Sequence, residues 1–329
     1  MRAVLATTVD GPLEFVDDHP DPVASDEAEL IDVTACGVCH SDLHVVEGVF
    51  PSPLPMVLGH EVTGVHAELG PVMVYAPWGC RSCVQCDRGL EMMCANATEA
   101  GLFADGGYAE KMAVKHRRYL APLGDLDPVA AAPLACGGLT AYRAVKHGVD
   151  LLRERTANGD VARATVIGAG GLGQYALQYL RLLTDAHVTA VDIADDKLAA
   201  AREIGAHDAI HASDVADAEP ADVVLDFLGT EPTLTSAAEH TARQGMCIVV
   251  GLGLGRIPFG FAAVPHEAQF MSSVWGSRAE LDDLLDLARS EPSLVREVDV
   301  MPLADAQRAH ERLRAGDTRG RIVLTTNGA

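Results

Sequence analysis

The hexad Gly168-Ala169-Gly170-Gly171-Leu172-Gly173 constrains the fold more than any other stretch, because of what stands on either side of it. A short apolar run, Ala164 to Gly168, leads into it, and a segment with helical periodicity, Leu172 to Leu183, leads away. Glycines at this junction permit a tight turn and close backbone approach, and a helix opening there presents unpaired N–H groups to a pyrophosphate. Asp192 comes nineteen residues after Gly173, at the end of the next apolar run. An acid so placed hydrogen-bonds the adenine-ribose hydroxyls of a dinucleotide and repels a 2′-phosphate. Ile193 and Ala194 follow it, so no arginine is at hand to receive that phosphate; Lys197 lies more than a helical turn further on. NAD is therefore expected over NADP. The competing reading is a nucleotide-binding domain whose site is vestigial.

The same alternation continues beyond the hexad. Strands are expected at His187 to Val191, Asp222 to Phe227 and Met246 to Val250, and a helix at Asp195 to Ile204. Parallel strands joined by helices cross over right-handed and build an open, doubly wound sheet. Before Gly138 the pattern is different. Residues 2 to 7, 29 to 35, 59 to 65 and 107 to 114 are β-branched or alternating, with Pro, Gly and Asp between them, as in a small antiparallel barrel. Asp127 to Leu134 reads as a short Ala-rich helix opening on Pro128. From Ser277 the chain carries expected helices at 278 to 290 and 304 to 314 and ends in Arg321-Ile322-Val323-Leu324. At 329 residues, two domains of ordinary size are expected.

A net charge of -22 argues against a nucleic-acid partner, which needs a positive footprint. No uninterrupted apolar run is long enough to span a bilayer, and the first residues lack a signal-peptide core, so a cytoplasmic protein without a membrane partner is expected. Six of the eight cysteines fall in two clusters, and clustered thiols in a reducing compartment are more often metal ligands than disulfides.

Cys80-x2-Cys83-x2-Cys86-x7-Cys94 places four thiols within fifteen residues, enough to wrap one tetrahedral zinc with no open position. An iron-sulfur centre or a pair of disulfides are the other readings. The second cluster is Cys36-Gly37-Val38-Cys39-His40-Ser41-Asp42-Leu43-His44 with Gly59-His60-Glu61. It brings together thiols, imidazoles, a hydroxyl and carboxylates, a costly set unless a metal or substrate organises it. A catalytic zinc takes three protein ligands and keeps a fourth position open; Cys39 and His60 supply two, with Glu61 beside them.

The order Cys39-His40-Ser41-Asp42, then His44, then Gly59-His60-Glu61 resembles the zinc-dependent alcohol dehydrogenases of the medium-chain dehydrogenase/reductase family, and the likeness runs with one gap from Met1 to about Leu324. It implies a GroES-like, partly open β-barrel catalytic domain (1–138 and 277–329) carrying a structural-zinc lobe (79–95). A Rossmann NAD-binding domain (139–276) completes the α/β chain, with the active-site cleft between the two. It also implies one catalytic and one structural Zn2+, and hydride exchange between NAD and an alcohol, giving a ketone or aldehyde.

Residue by residue, the resemblance makes Cys136, within Pro133 to Tyr142, the third catalytic ligand, although a lone cysteine is often core. Glu61 becomes an auxiliary ligand, and Asp42 either orients His60 or caps a helix. Ser41 and His44 form a proton relay. His40 and Arg321 contact the pyrophosphate, and Thr140 lies near the nicotinamide. Cys36 is a strand residue near the site, despite its CxxC spacing to Cys39, and Cys247 is core. Phe50 and Trp275 are assigned to the substrate pocket, where core packing is the other reading. A homodimer or homotetramer paired through Met271 to Trp275 is implied. A polyol, formaldehyde or cinnamyl-type dehydrogenase, or a silent zinc-stabilised NAD-binding protein, are the alternatives. Between Glu61 and Cys80 the chain is short by about a strand and a turn, so one barrel edge is expected to be open or re-paired.

Overall fold

The computed structural model describes residues 1–25, 27–318 and 320–326. It comprises two compact units, Met1–Leu139 with Trp275–Ala329, and Thr140–Val274. The first is built around the strand Glu29–Gly37, in which Ile31, Val33 and Ala35 point into the core while Asp32 faces out. Glu61–His66 pairs antiparallel along one side of it; on the other, Lys111–Val114 pairs with its first half and Ile322–Thr325 with its last residues. Gly70–Val74, Leu120–Pro122 and Asp299–Pro302 complete a seven-stranded sheet. A second sheet of three strands joins Leu13–Val16, Ala3–Ala6 and Met56–Val57.

The shortened region after Glu61 is re-paired. Three residues turn Glu61–His66 back into Gly70–Val74, with Gly70 at φ +71°, and the outer strand then pairs with Leu120–Pro122. The segment expected as one helix from Asp127 is two pieces. Asp127 caps Pro128–Ala131 by accepting from the Val129 amide at 2.9 Å, and the chain then tightens into a 3₁₀ turn, Ala132–Ala135. Pro133 has no N–H to continue the α-helical ladder. The expected strand 107–114 is regular only over Lys111–Val114, and a 21-residue helix, Gly137–Ala157, follows Cys136.

The second unit is an all-parallel sheet in the spatial order Asp208–His211, His187–Asp192, Arg163–Ile167, Ala221–Asp226, Thr241–Val249, Gln269–Ser272. The chain starts in the middle, works outward on one side and then crosses to the other, which leaves a crevice at the strands' carboxyl ends. Ile167, Val191, Val224, Ala237 and Cys247 share one core cluster, so Cys247 is a packing residue. The last strand, Gln269–Ser272, is a sheet edge. Trp275 and Gly276 belong with the first unit, where the Tyr75 hydroxyl donates to the Gly276 carbonyl at 2.8 Å. Among the described residues no helix is long and apolar enough to cross a membrane.

Candidate active site

Cys39 leaves the strand Glu29–Gly37 and caps the helix His40–Val46, with its amide bonded to Asp42 Oδ2 at 2.8 Å. His60 and Glu61 arrive from the neighbouring strand, and Cys136 from the end of the 3₁₀ turn. One ligand atom from each of Cys39, His60, Glu61 and Cys136 lies within 4.8 Å of the others, and all four residues are buried. Asp42 Oδ1 bonds His60 Nδ1 at 3.1 Å, so the carboxylate both caps the helix and orients the ring. Glu61 Oε1 accepts from the Gly137 amide at 3.1 Å and from the Arg321 guanidinium. Arg321, assigned to the cofactor pyrophosphate, thus packs against the carboxylate beside His60.

The thiols are unequal. A hydrogen bond from Cys136 holds Cys39 well below the usual thiol range, assisted by His60 and opposed by burial. That same bond, with burial, pushes Cys136 well up. Burial opposes a charge on His60, but Asp42 and Cys39 raise its pKa well above the usual value. Burial pushes Glu61 up to about 7 against the pull of Arg321.

Two buried atoms here have no hydrogen-bond partner, His60 Nε2 and Glu61 Oε2. A buried polar atom without a partner is costly, and a cation between two thiols and an imidazole removes that cost. Soft sulfur with imidazole nitrogen is the donor set that suits zinc, so the residues fit the metal.

The second sulfur cluster is local. Cys80, Cys83, Cys86 and Cys94 bring their sulfurs within 4.8 Å of one another, and the Cys80 and Asn96 amides each approach Cys94 Sγ at 3.4 Å. Ser82 hydrogen bonds bring the Cys80 thiol down to about 6, whereas burial pushes Cys86 up to about 12. All eight cysteines are free thiols in the structure. Four sulfurs with amides aimed at one of them suit a closed tetrahedral zinc site.

In the second unit, Gly168 takes φ +90° at the end of Arg163–Ile167, and the helix Gly171–Leu183 opens on Gly170. A Cβ on Gly173 would sit 1.9 Å from the Gly168 carbonyl oxygen, whereas one on Gly170 would meet open space. The first glycine lets the helix close on the strand, and the second leaves room before the helix N-terminus. Leu172 follows in the first turn of that helix. Asp192 Oδ2 accepts from the Ala169 amide at 2.8 Å, and Oδ1 accepts from Ile193 and Ala194 at 2.8 and 3.1 Å. The acid is tied to the glycine turn and fixes its shape. Thr140 is buried in the long helix Gly137–Ala157.

Ser41 Oγ stands 3.9 Å from Cys39 Sγ, and His44 follows one turn later with a quarter of its side chain exposed. His40, on the exposed side of this helix, is solvent-facing. Phe50 meets His44 edge-on at 5.8 Å and Phe103 at 6.1 Å. Trp275 is buried at φ +50°, with its ring edge-on to His60 at 5.5 Å and its indole N–H on Glu99 Oε1 at 3.1 Å. Trp275 therefore borders the histidine of the cluster, whereas Phe50 borders His44 on the neighbouring helix.

Two family models match the chain, the alcohol dehydrogenase GroES-like domain over residues 25–125 and the zinc-binding dehydrogenase domain over 171–290. An NAD-dependent alcohol dehydrogenase of Sulfurisphaera tokodaii is 33% identical, over 98% of this chain and 99% of its own. The chain belongs to the zinc-dependent medium-chain alcohol dehydrogenases. A D-arabinose 1-dehydrogenase (NADP(+)) of Saccharolobus solfataricus is 32% identical over 98% of this chain and 97% of its own. Among solved structures, the alcohol dehydrogenase of Aeropyrum pernix superposes with a TM-score of 0.87 at 31% identity, covering 99% of this chain and 100% of that one.

For this family member, sequence reasoning missed three partners of the cluster, namely Arg321 on Glu61, Glu99 on Trp275 and Tyr108 on Asp42. Tyr108 sits in Gly106-Gly107-Tyr108-Ala109-Glu110, read only as strand; the two glycines before it were the available sign of close packing.

Proposed function

We infer that the chain is a zinc- and NAD-dependent oxidoreductase that interconverts secondary or medium-sized primary alcohols with ketones or aldehydes. The observation that carries this reading is the buried Cys39–His60–Cys136 cluster with its unpartnered imidazole nitrogen, in one chain with an open glycine turn tied to Asp192. Bound there, zinc supplies a Lewis acid at the substrate oxygen and NAD a hydride acceptor. Cys39, His60 and Cys136 hold the metal, and Glu61 stands by as an auxiliary ligand whose charge Arg321 balances. Ser41 receives the hydroxyl proton, and the part-exposed His44 passes it to solvent. Cys80, Cys83, Cys86 and Cys94 hold a structural zinc. Gly168, Gly170, Gly171, Leu172 and Gly173 seat the pyrophosphate. Asp192 takes the ribose hydroxyls and disfavours NADP, Thr140 lies by the nicotinamide, and Phe50 and Trp275 wall the substrate space.

The clustering of six of the eight cysteines as metal-ligand sets suits a reducing, cytoplasmic setting. A dimer or tetramer would pair its subunits through the edge strand Gln269–Ser272, a reading supported by the exposed Phe259 and Phe261 that precede it. Light scattering should give a multiple of the 34.7 kDa chain mass, and a monomer would remove this assignment.

The deciding experiment is NADH formation from primary, secondary and polyhydric alcohols, with NADP in parallel. Turnover of simple alcohols with NAD supports the reading. Turnover confined to polyols or sugars moves the enzyme toward the arabinose-oxidising relative, and no turnover by protein carrying both zincs leaves the silent alternative. His44→Ala should slow oxidation mainly at low pH, where solvent base is scarce; an unchanged pH profile would remove His44 from the relay.

A further inference from the structure

Asp42 is wholly buried and does more than meet His60. Its Oδ2 accepts from the Cys39 amide at 2.8 Å and from the Tyr108 hydroxyl at 3.1 Å, and its Oδ1 bonds His60 Nδ1 at 3.1 Å. Behind Tyr108 stands His310, on the helix Ala306–Ala315, with Nε2 3.3 Å from the Tyr108 oxygen and its ring edge-on to the tyrosine at 5.9 Å. His310 is 2% exposed and lines a separate cavity of about 380 Å³, together with Asp10, Glu47, Gln307 and Arg314. The chain of contacts thus runs from that cavity, through the three buried side chains of His310, Tyr108 and Asp42, to the ring beside Cys39 and Cys136.

Proton counting gives the chain a direction. A carboxylate only accepts, so the single tyrosine proton goes to Asp42 Oδ2. The tyrosine oxygen is then free to accept, and His310 must donate from Nε2. Burial lowers the His310 pKa, which favours a neutral ring with one N–H to give. At the other end Asp42 accepts from His60 Nδ1, which reserves Nε2, the ring nitrogen with no other partner, for a cation at the cluster. Backbone packing holds the tyrosine in place, since a Cβ on Gly59, the residue before His60, would lie 2.4 Å from the Tyr108 ring.

We propose that Tyr108 and His310 are positioning residues that fix the tautomer and orientation of the His60 ring through Asp42. The proposal rests on the reading of His60 as a zinc ligand. Partners one step behind a ligand typically change metal affinity or activity by about 10- to 100-fold when removed. Tyr108→Phe deletes the hydroxyl and keeps the ring. His310→Ala deletes the last donor, and His310→Gln returns an N–H near the position of Nε2.

The test uses the holoenzyme and three readouts: zinc release to a chelator, the absorption bands of enzyme with cobalt in the catalytic site, and the split between kcat and KM. Tyr108→Phe is expected to speed release from the catalytic site about tenfold, shift the cobalt bands and lower kcat, with KM for NAD unchanged. His310→Ala is expected to do the same more weakly, and His310→Gln to restore the wild-type spectrum. Wild-type release and cobalt bands in folded Tyr108→Phe and His310→Ala would overturn the proposal, as would a loss in His310→Ala that His310→Gln does not recover. If Tyr108→Phe does not fold, the His310 pair decides. His60→Ala separates the two levels: folded protein still carrying both zincs would sink the ligand assignment itself, whereas loss of one zinc with unaltered Tyr108 and His310 variants would sink only the positioning role.

Discussion

Gly170 and Gly173 lie three residues apart in one motif and should fail in different ways. A methyl on Gly173 meets the Gly168 carbonyl oxygen at 1.9 Å, so Gly173→Ala must push the helix Gly171–Leu183 off its strand. Overpacking of this kind costs about 1–3 kcal/mol or more, and thermal unfolding should show it without any cofactor. A methyl on Gly170 has nothing within 4 Å, so Gly170→Ala should keep its melting temperature. It should nevertheless weaken NAD binding by about tenfold or more in titration, because the methyl takes the space through which backbone approaches pyrophosphate. Equal NAD affinity in Gly170→Ala and wild type would mean the turn does not seat the cofactor. His240 offers a test of a different kind. Its Nε2 lies 3.0 Å from the Thr165 hydroxyl beneath the sheet, and burial lowers its pKa. The unfolded chain takes up a proton near pH 6.5, which the folded ring resists until lower pH, so stability is full above that value and falls as pH drops through the window. One such proton tilts stability by at most about 1.4 kcal/mol per pH unit. Urea unfolding of His240→Gln between pH 7 and 5 should show a shallower decline than wild type, and parallel curves would remove His240 as a cause.

At the scale of elements, the sulfur lobe is the part whose order depends most on metal. Between Gly79 and Met93 its regular structure is one four-residue helix, Val84–Asp87, and one 3₁₀ turn, Glu91–Met93, too little to hold four thiols together alone. Removing the structural zinc, or replacing Cys94 by serine, should raise amide exchange across 79–95 while Arg163–Ile167 stays protected. Unchanged exchange in the lobe would mean it is packed without metal. This lobe was also the most legible part of the sequence, because its four ligands fall within fifteen residues and spacing alone announces them. The helix Arg278–Ser290 was legible for a similar reason, as Ser277 and Glu280 cap it reciprocally within four residues. Other elements were hidden by their own chemistry. Gly137–Ala157 opens on two glycines, poor helix formers, and Pro133 splits a run of alanines that propensity reads as continuous. In the site, Cys39 and His60 were marked by local motif, whereas the Tyr108–Asp42 and Arg321–Glu61 contacts join residues 66 and 260 positions apart. No periodicity carries such pairs; only the sheet that sets Glu61–His66 and Ile322–Thr325 on either side of Glu29–Gly37 brings the second one together.

For the whole molecule the dominant unbalanced quantity is charge. The chain has 47 acidic and 25 basic residues, a net of -22, and only Lys111, Lys115, Lys146 and Lys197 as lysines. Several basic side chains are already paired at the surface, as in Arg117 with Glu68, Lys111 with Asp21 and Arg312 with Asp299. Each exposed pair contributes about 0–1 kcal/mol and weakens in salt, whereas the unpaired carboxylates repel one another and that repulsion also weakens in salt. The two effects oppose, and the excess of anions decides the sign. The screening length falls from about 10 Å at 0.1 M to about 3 Å at 1 M, shorter than most separations between surface charges. The melting temperature of the holoenzyme should therefore rise by several degrees between 0.1 and 1 M KCl, most of it before the upper concentration is reached. An excluded solute such as sucrose stabilises by another route and without an early plateau, so the two curves should differ in shape. A melting temperature that falls with KCl would mean the ion pairs outweigh the excess charge, and the acidic composition would then be a matter of solubility and not of folding in salt.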